Sequence, residues 1–284
     1  MRELLLFAFI SVILTLSSCD GKDEGIPAYI QIDTVSVRIN NEVEEGSSNH
    51  AITDVWVYID DVYQGNYEVP AKFPVLNTGN HKITLRAGIK LNGIAATREE
   101  YPFYQYIDID TVLTESKVMT IAPEFSYIEN ASFWIEDFNQ ADIKIWRTPQ
   151  TNTDTVIQHV EDTAHTDPQL YFGGIFVDAT RPNFIGATNL ETDPIFYYDA
   201  DRRLMLEMQY KNNQAFYVGL LTQTKKIDIE MLMPSTEWKT IYIDLTPWIK
   251  KNPTEKYALA YWTMYDGEKQ GKILLNNIKL VKYE

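Results

Sequence analysis

The stretch Trp238-Lys239-Thr240-Ile241-Tyr242-Ile243-Asp244-Leu245 decides how the second half of the chain folds. Apolar residues recur at alternate positions, so Ile241, Ile243 and Leu245 fall on one side of an extended backbone. A strand with one apolar side must bury that side against a second layer. The stretch therefore predicts a sheet that packs against another sheet.

Alternation of this kind dominates the chain, and helical periodicity is scarce. We therefore predict an all-β protein in which a small β-sandwich is followed by a β-jelly-roll sandwich. Strands are expected over 204–210, 215–221, 227–232, 239–245, 257–265 and 273–281. The glycines at 173, 174 and 186 are expected to permit turns or bulges.

Three parts of the second half resemble galactose-binding-like jelly rolls, a group that includes many carbohydrate-binding modules. They are the opening 133–138, the strand 238–245 and the final strand 273–281. The resemblance implies a jelly roll over 125–284 with glycan as its ligand.

The same resemblance implies a structural calcium near the two ends of the jelly roll, held by acidic residues. Asn276 and Asn277 stand where an acidic pair is common in that group. Glu136 or Asp137 would then have to supply the oxygen ligands. We predict no cofactor, with a structural calcium as the alternative.

Apolar and polar residues also alternate over 53–60, in the first half of the chain. The segment 57–88 resembles PEGA-type β modules and related immunoglobulin-like folds. The residues that carry the resemblance are Asp60-Asp61, Gly65, Pro70 and Gly79-Asn80-His81. The resemblance implies a small non-catalytic sandwich, which we place over 28–124.

The N-terminal segment ends in Leu16-Ser17-Ser18-Cys19 and contains the only cysteine of the chain. Residues 4–16 are almost wholly apolar, which suits a signal-peptide core and is too short to span a bilayer. The four residues resemble the lipobox of bacterial lipoproteins. The resemblance implies removal of residues 1–18 and lipidation of Cys19, which anchors the chain to a membrane. The alternative is an ordinary signal peptide with a chance cysteine.

Residues 19–27 are short, charged and rich in glycine, so we expect a lipidated tether. Their acidic run resembles the export signal of some Gram-negative surface lipoproteins. The resemblance implies a lipid-anchored protein of the outer membrane, exposed at the cell surface. A solvated spacer is the alternative.

The net charge of −15 excludes nucleic acid as a partner, because phosphates would be repelled and no basic patch compensates. Carboxylates for glycoside hydrolysis are present, but in an acidic β protein they usually lie on solvated faces. No G-x-S-x-G or phosphate-loop pattern occurs, and 159–167 matches no zinc motif. We therefore predict that the protein is not an enzyme.

Aromatic residues are the best binding candidates, because the C–H face of a sugar packs on an aromatic ring while polar side chains bind its hydroxyls. If strands 204–210 and 215–221 pair, Glu207, Gln209 and Tyr217 share one groove. The residues expected to border it are Tyr197, Tyr198 and Trp262. The alternative is that most of these aromatic side chains belong to the core.

Our leading hypothesis is a non-catalytic surface lipoprotein whose jelly roll binds glycan. The alternative is an accessory subunit of an outer-membrane complex for uptake, secretion or barrel assembly. In that case the same aromatic face would contact protein, such as an outer-membrane β-barrel.

Overall fold

The computed structural model describes residues 25–147, 153–161, 171–190 and 203–284. Most of these residues lie in strands, and the all-β prediction is confirmed. Two short helices occur, α1 (Glu42–Glu45) and α2 (Thr246–Lys250). Within the described ranges, no helix has the length and apolarity that a bilayer crossing requires.

The first sandwich contains ten strands. They are β1 (Ala28–Ile32), β2 (Ser36–Arg38), β3 (Ile52–Ile59), β4 (Val62–Glu68), β5 (Ala71–Val75), β6 (Gly79–Lys90), β7 (Arg98–Glu100), β8 (Ile107–Leu113), β9 (Val118–Ile121) and β10 (Glu124–Ser126). A five-stranded sheet has the order β4-β3-β6-β7, with β8 also paired to β6. Smaller sheets, β5-β1-β9 and β10-β2, complete the sandwich around a core that contains Val55, Val57 and Leu85.

Eleven strands of the second sandwich lie within the described ranges. They are β11 (Ala131–Glu136), β12 (Trp146–Arg147), β13 (Gln158–Val160), β14 (Phe172–Val177), β15 (Asn183–Ala187), β16 (Leu204–Asn212), β17 (Phe216–Leu221), β18 (Lys226–Leu232), β19 (Ser235–Asp244), β20 (Ala258–Met264) and β21 (Gly271–Tyr283). The back sheet has the order β13-β14-β21-β16-β19, with β11 also paired to β21. The front sheet has the order β12-β15-β20-β17-β18. Ile241, Ile243 and Leu245 are buried in the core of this sandwich, as the alternation predicts.

The glycines at 173, 174 and 186 lie inside β14 and β15, so the expectation of turns there is wrong. A Cβ on Gly173 would overlap the Phe138 ring, and one on Gly174 would overlap the Val160 side chain. These glycines are therefore needed for close packing of neighbouring side chains rather than for a change of chain direction.

The back sheet is buried on both faces because the first sandwich covers the side that is turned away from its own core. Met205, Tyr242 and Val281 point to that side and are part of the core of the first sandwich. The two sandwiches therefore share buried apolar surface. Whether the chain divides at 124/125, and whether the first sandwich is immunoglobulin-like or PEGA-like, stay predictions.

Candidate ligand-binding face

The front sheet leaves one of its faces turned away from the core. Val218 and Leu220 of β17 are fully buried in the sandwich core. Because successive side chains on a strand alternate, Tyr217, Gly219 and Leu221 lie on the opposite, outer face. This outer face is the candidate site.

Gly219 determines how the aromatic side chain on the neighbouring strand lies. A Cβ at this position would overlap the six-membered ring of Trp262 and the carbonyl oxygen of Ile227. The Trp262 indole therefore lies directly over the backbone of β17, where only glycine leaves room for it.

Tyr217 and Trp262 are direct partners across β17 and β20. Their ring centroids are 5.9 Å apart and the ring planes differ by only 13°. The ammonium group of Lys226 lies 4.7 Å from the centre of the Trp262 ring, and Trp262 is only 5% exposed. Tyr217, which is half-buried, therefore offers the more accessible ring of the pair.

A cleft of about 690 Å³ opens beside the two rings. Its apolar rim includes the exposed side chains of Met233 and Met264. The polar side chains that line it are Asn183, Asn213, Gln214, Lys226, Asp228, Thr263 and Asp266. The cleft thus combines aromatic, flexible apolar and hydrogen-bonding groups, as small-molecule sites do.

Several of these polar groups are held in place by other parts of the protein. The Gln214 amide donates to Thr263 Oγ1 and to the Met264 carbonyl oxygen, both at 2.8 Å. The Asn183 amide donates to Asp154 Oδ2 at 3.0 Å. The Asp228 carboxylate, by contrast, makes no hydrogen bond or ion pair with the residues that the structure describes. It is exposed and can accept hydrogen bonds from a ligand.

Glu207 and Gln209 do not share this cleft with Tyr217, because the strand pairing on which a shared groove depended does not occur. β16 pairs with β19 and β21 in the back sheet, whereas β17 pairs with β18 and β20 in the front sheet. The short connection between β16 and β17 crosses from one sheet to the other. It is held by Asn212, whose amide donates to the Gln214 carbonyl oxygen at 2.8 Å.

Glu207 instead lies buried between the two sandwiches. Its carboxylate accepts hydrogen bonds from the hydroxyl groups of Tyr101 and of Tyr127, the latter at 2.8 Å. Burial, followed by the nearby Glu207 charge, raises the pKa of both tyrosines well above its usual value. Gln209 is also buried and accepts from the Asn277 amide at 2.6 Å.

Lys279 brings a positive charge to the same interface. Its ammonium group donates to the Ser47 carbonyl oxygen at 2.6 Å and to the Tyr127 hydroxyl at 3.2 Å. Burial lowers the pKa of Lys279, and the Glu207 carboxylate opposes that shift. This polar network joins the sandwiches and is closed to a polymeric ligand.

Cys19, Tyr197 and Tyr198 lie outside the described residues. Of the six predicted ligand-binding residues, the structure thus brings together Tyr217 and Trp262 and places Glu207 and Gln209 elsewhere. Ligand binding by any of them stays a prediction. Asp228 and Lys226 were missed, although alternation along 226–228 already places both on one face of a strand.

The carboxylate of Glu136, the proposed calcium ligand, accepts hydrogen bonds from backbone N–H groups. The donors are the N–H groups of Phe138 at 2.8 Å and Lys144 at 2.5 Å. Burial raises the pKa of Glu136 despite these bonds. Across the described part of the chain, no group of three His, Cys, Asp or Glu side chains is arranged to hold a metal ion.

No known family profile matches the chain, and no curated protein matches it. Solved structures that are similar to it are carbohydrate-binding modules. A family 29 module has 13% identity and a TM-score of 0.33, with 53% of this chain and 85% of that chain covered. The family 30 module of the cellulosomal cellulase Cel9D-Cel44B of Clostridium thermocellum has 16% identity and a TM-score of 0.32, with 52% of this chain and 90% of that chain covered.

Proposed function

We propose that the protein is a non-catalytic surface lipoprotein whose second sandwich binds glycan on the outer face of the front sheet. The observation that carries this proposal is the pair of nearly parallel rings, Tyr217 and Trp262, beside a cleft whose Asp228 carboxylate makes no bond to the residues that the structure describes. A pyranose ring packs its C–H face on the accessible Tyr217 ring. Asp228 then accepts hydrogen bonds from the sugar hydroxyls.

The energies of these contacts are modest, as is usual for glycan binding by a shallow surface. Stacking on one aromatic ring contributes about 1 kcal/mol beyond the apolar area that it buries. A hydrogen bond to a charged acceptor contributes about 1.5–3 kcal/mol. Loss of either contact therefore weakens binding by roughly tenfold or more, since 1.4 kcal/mol is a factor of ten.

The test uses the full chain on an array of neutral and acidic glycans, followed by titration calorimetry with each glycan that binds. Tyr217→Ala and Asp228→Asn should each weaken binding about tenfold without a change in melting temperature. Asp142→Asn removes an exposed carboxylate outside the cleft and serves as the matched control. Absence of binding to every glycan, or binding that Tyr217→Ala leaves unchanged, would overturn the proposal.

The membrane anchor is proposed on separate grounds, namely the match of Leu16-Ser17-Ser18-Cys19 to a lipobox. Lipid on Cys19 would hold the protein at the outer membrane, with residues 20–27 as the tether that lets the sandwiches reach extracellular glycan. Mass spectrometry of protein from the producing cells should show an acylated N-terminal cysteine. A free thiol at this position, or an intact leader, would refute the anchor and leave glycan binding to its own test.

A further inference from the structure

The outer face of the five-stranded sheet in the first sandwich carries a second group of aromatic side chains. We call it the aromatic cluster. Its members are Trp56, Tyr58, Tyr63 and Tyr106, together with Arg86, which packs against two of the rings. The residues that alternate with them along β3 and β6 are buried, so the cluster faces away from the core. Tyr63 and Tyr106 are 47% and 57% exposed. This is a large exposed aromatic surface, of the kind that marks interaction sites.

Arg86 holds the cluster in a fixed arrangement. The central carbon of its guanidinium group lies 4.1 Å from the Tyr58 ring centre and 4.2 Å from the Tyr106 ring centre. The guanidinium group also bonds Glu100 at 2.9 Å, and the Tyr58 hydroxyl donates to the same carboxylate at 2.6 Å. Because these side chains are already ordered, a partner that binds them incurs little loss of side-chain entropy.

The rings of the cluster are tilted against one another. Trp56 and Tyr63 have centroids 5.6 Å apart and planes that differ by 37°. Tyr58 and Tyr63 are 5.3 Å apart at 52°. Tilted rings present edges and notches that accept single side chains, whereas a pyranose needs a flat ring face. Trp, Tyr and Arg are also the residue types most enriched at the centres of protein interfaces.

An acidic cavity adjoins the cluster on the same face of the sheet. It measures about 380 Å³, and its lining includes Asp60, His81, Lys82 and Asp110. Asp60 already accepts from the His81 ring at 2.6 Å and from the Lys82 backbone N–H at 3.0 Å, whereas the exposed Asp110 carboxylate makes no bond to the described residues. Lys82 also lies 3.8 Å from the carboxylate of Asp108, which is the register partner of Thr84 on β6. Asp61 lies 3.3 Å from the Lys82 ammonium group, so four carboxylates stand against Lys82 and His81 at this end of the sheet. The cavity has room for the head group of a lysine or arginine.

We propose that the aromatic cluster and the acidic cavity together form a docking surface for a protein that presents an apolar side chain beside lysine or arginine. The apolar side chain packs on Tyr63 and Tyr106, and the basic one enters the cavity and pairs with the carboxylate of Asp110. Charge complementarity favours this partner over a second copy of the chain, whose net charge is −15. The docking surface lies on the other sandwich from the glycan-binding face, so the two proposals stand independently.

The experiment places the photo-crosslinking residue benzoylphenylalanine at position 106 of the full chain in the cells that produce it. The same residue at position 72, which is exposed on the β5-β1-β9 sheet, is the positional control. We expect one protein adduct at position 106 and none at position 72. Peptide mass spectrometry should map the adduct to a segment that contains lysine or arginine next to an apolar residue.

Two further measurements tie the adduct to the charges of the cavity. Asp110→Asn should reduce its yield about tenfold, as loss of an interface hot-spot residue does, while Asp142→Asn leaves the yield unchanged. If Asp110→Asn does not fold, irradiation of the protein with its aspartate intact at high salt supplies the same test. The adduct yield should then fall, because salt screens exposed charges. Tyr217→Ala should leave the adduct intact. Equal adducts at both positions, an adduct with a second copy of the chain or with a glycan, or no adduct would overturn the proposal.

Discussion

The two outer faces of this protein use the same side-chain types and reach opposite geometries. On the second sandwich the rings of Tyr217 and Trp262 are within 13° of parallel, whereas the ring pairs of the aromatic cluster on the first sandwich are tilted by 37° and 52°. Gly219 leaves room for the Trp262 indole to lie flat on the backbone of β17, while the Arg86 guanidinium group packs between the rings of Tyr58 and Tyr106. Composition therefore does not decide the geometry of an aromatic surface. The residues beneath and between the rings determine it.

The charged groups differ in the same sense. Asp228 on the second sandwich is exposed and makes no bond to the described residues. Glu100 on the first sandwich is shared between Arg86 and the Tyr58 hydroxyl. A carboxylate that is hydrogen-bonded within the protein, such as Glu100, fixes the side chains around it, whereas one without such bonds keeps its capacity to accept hydrogen bonds from a ligand.

The largest expected effect comes from separating the two faces by removal of residues 25–124. Met205, Tyr242 and Val281 would become exposed, at about 1.5–3 kcal/mol each. Glu207 would lose the Tyr101 hydroxyl and Lys279 would lose the Ser47 carbonyl oxygen, although both would keep Tyr127. We expect the remaining residues 125–284 to lose cooperative melting, whereas the full chain should melt in a single calorimetric transition. A fragment that melts sharply and keeps its glycan affinity would show that the faces belong to independent modules.

The second prediction compares the glycine that lies beneath each face. Gly88→Ala would displace the buried carboxylate of Asp54 from its 3.1 Å bond to Arg98, at a cost of about 3 kcal/mol. Gly219→Ala would displace Trp262, at a cost of about 1–3 kcal/mol. Both variants should melt earlier, but only Gly219→Ala should lose glycan affinity in calorimetry. Equal loss of affinity in both variants would contradict the assignment of the binding face.

The third prediction concerns Glu207→Gln, which keeps the shape of the side chain and removes its charge. We expect a loss of about 1–3 kcal/mol in the free energy of unfolding, because two buried tyrosine hydroxyls lose a charged acceptor. Glycan affinity should not change. Urea denaturation and calorimetry on the same sample measure both quantities. Weaker glycan binding at unchanged stability would contradict this assignment and would show that Glu207 contributes to ligand binding, as predicted from the sequence.

The smallest effect is expected at high pH. Burial and then the bond to Glu100 raise the pKa of Tyr58 to about 12, against about 10 in an unfolded chain. A raised pKa stabilises the fold below pH 10, and this contribution is lost as the pH rises from about 10 to 12. Tyr58→Phe should therefore lose stability less steeply over this window in urea denaturation at successive pH values. An identical slope in both proteins would show that Tyr58 titrates as in the unfolded state.

Much of the fold could be predicted because alternation is a local property of the sequence. Alternation correctly indicates which side chains of β19 face the core, and that β3 is a strand. The glycine-containing strands β14 and β15 were missed, since a glycine needed for close packing looks the same in the sequence as one needed for a turn. The collision that requires glycine comes from side chains distant in the sequence, such as Phe138 against Gly173.

The site could be predicted only in part, for a related reason. Alternation placed Glu207 and Gln209 on one face of a strand, but it carries no information on what covers that face. The cover comes from Tyr101, Tyr127 and Asn277, which are 68 to 106 residues away along the chain. Tyr217 and Trp262 were recognised as candidates because an aromatic side chain is conspicuous in a sequence. An unpaired carboxylate such as Asp228 is visible only in three dimensions.

The shared interface has a consequence for biosynthesis. Lys279 donates to the backbone of Ser47, and Val281 completes the core of the first sandwich. The ribosome adds these residues more than two hundred positions after Ser47 and the start of that sandwich. The apolar surface of the first sandwich that Val281 covers therefore stays exposed to solvent until β21 has been synthesised. We expect this interval to require chaperone protection, and we expect early termination before β21 to yield protein that is degraded.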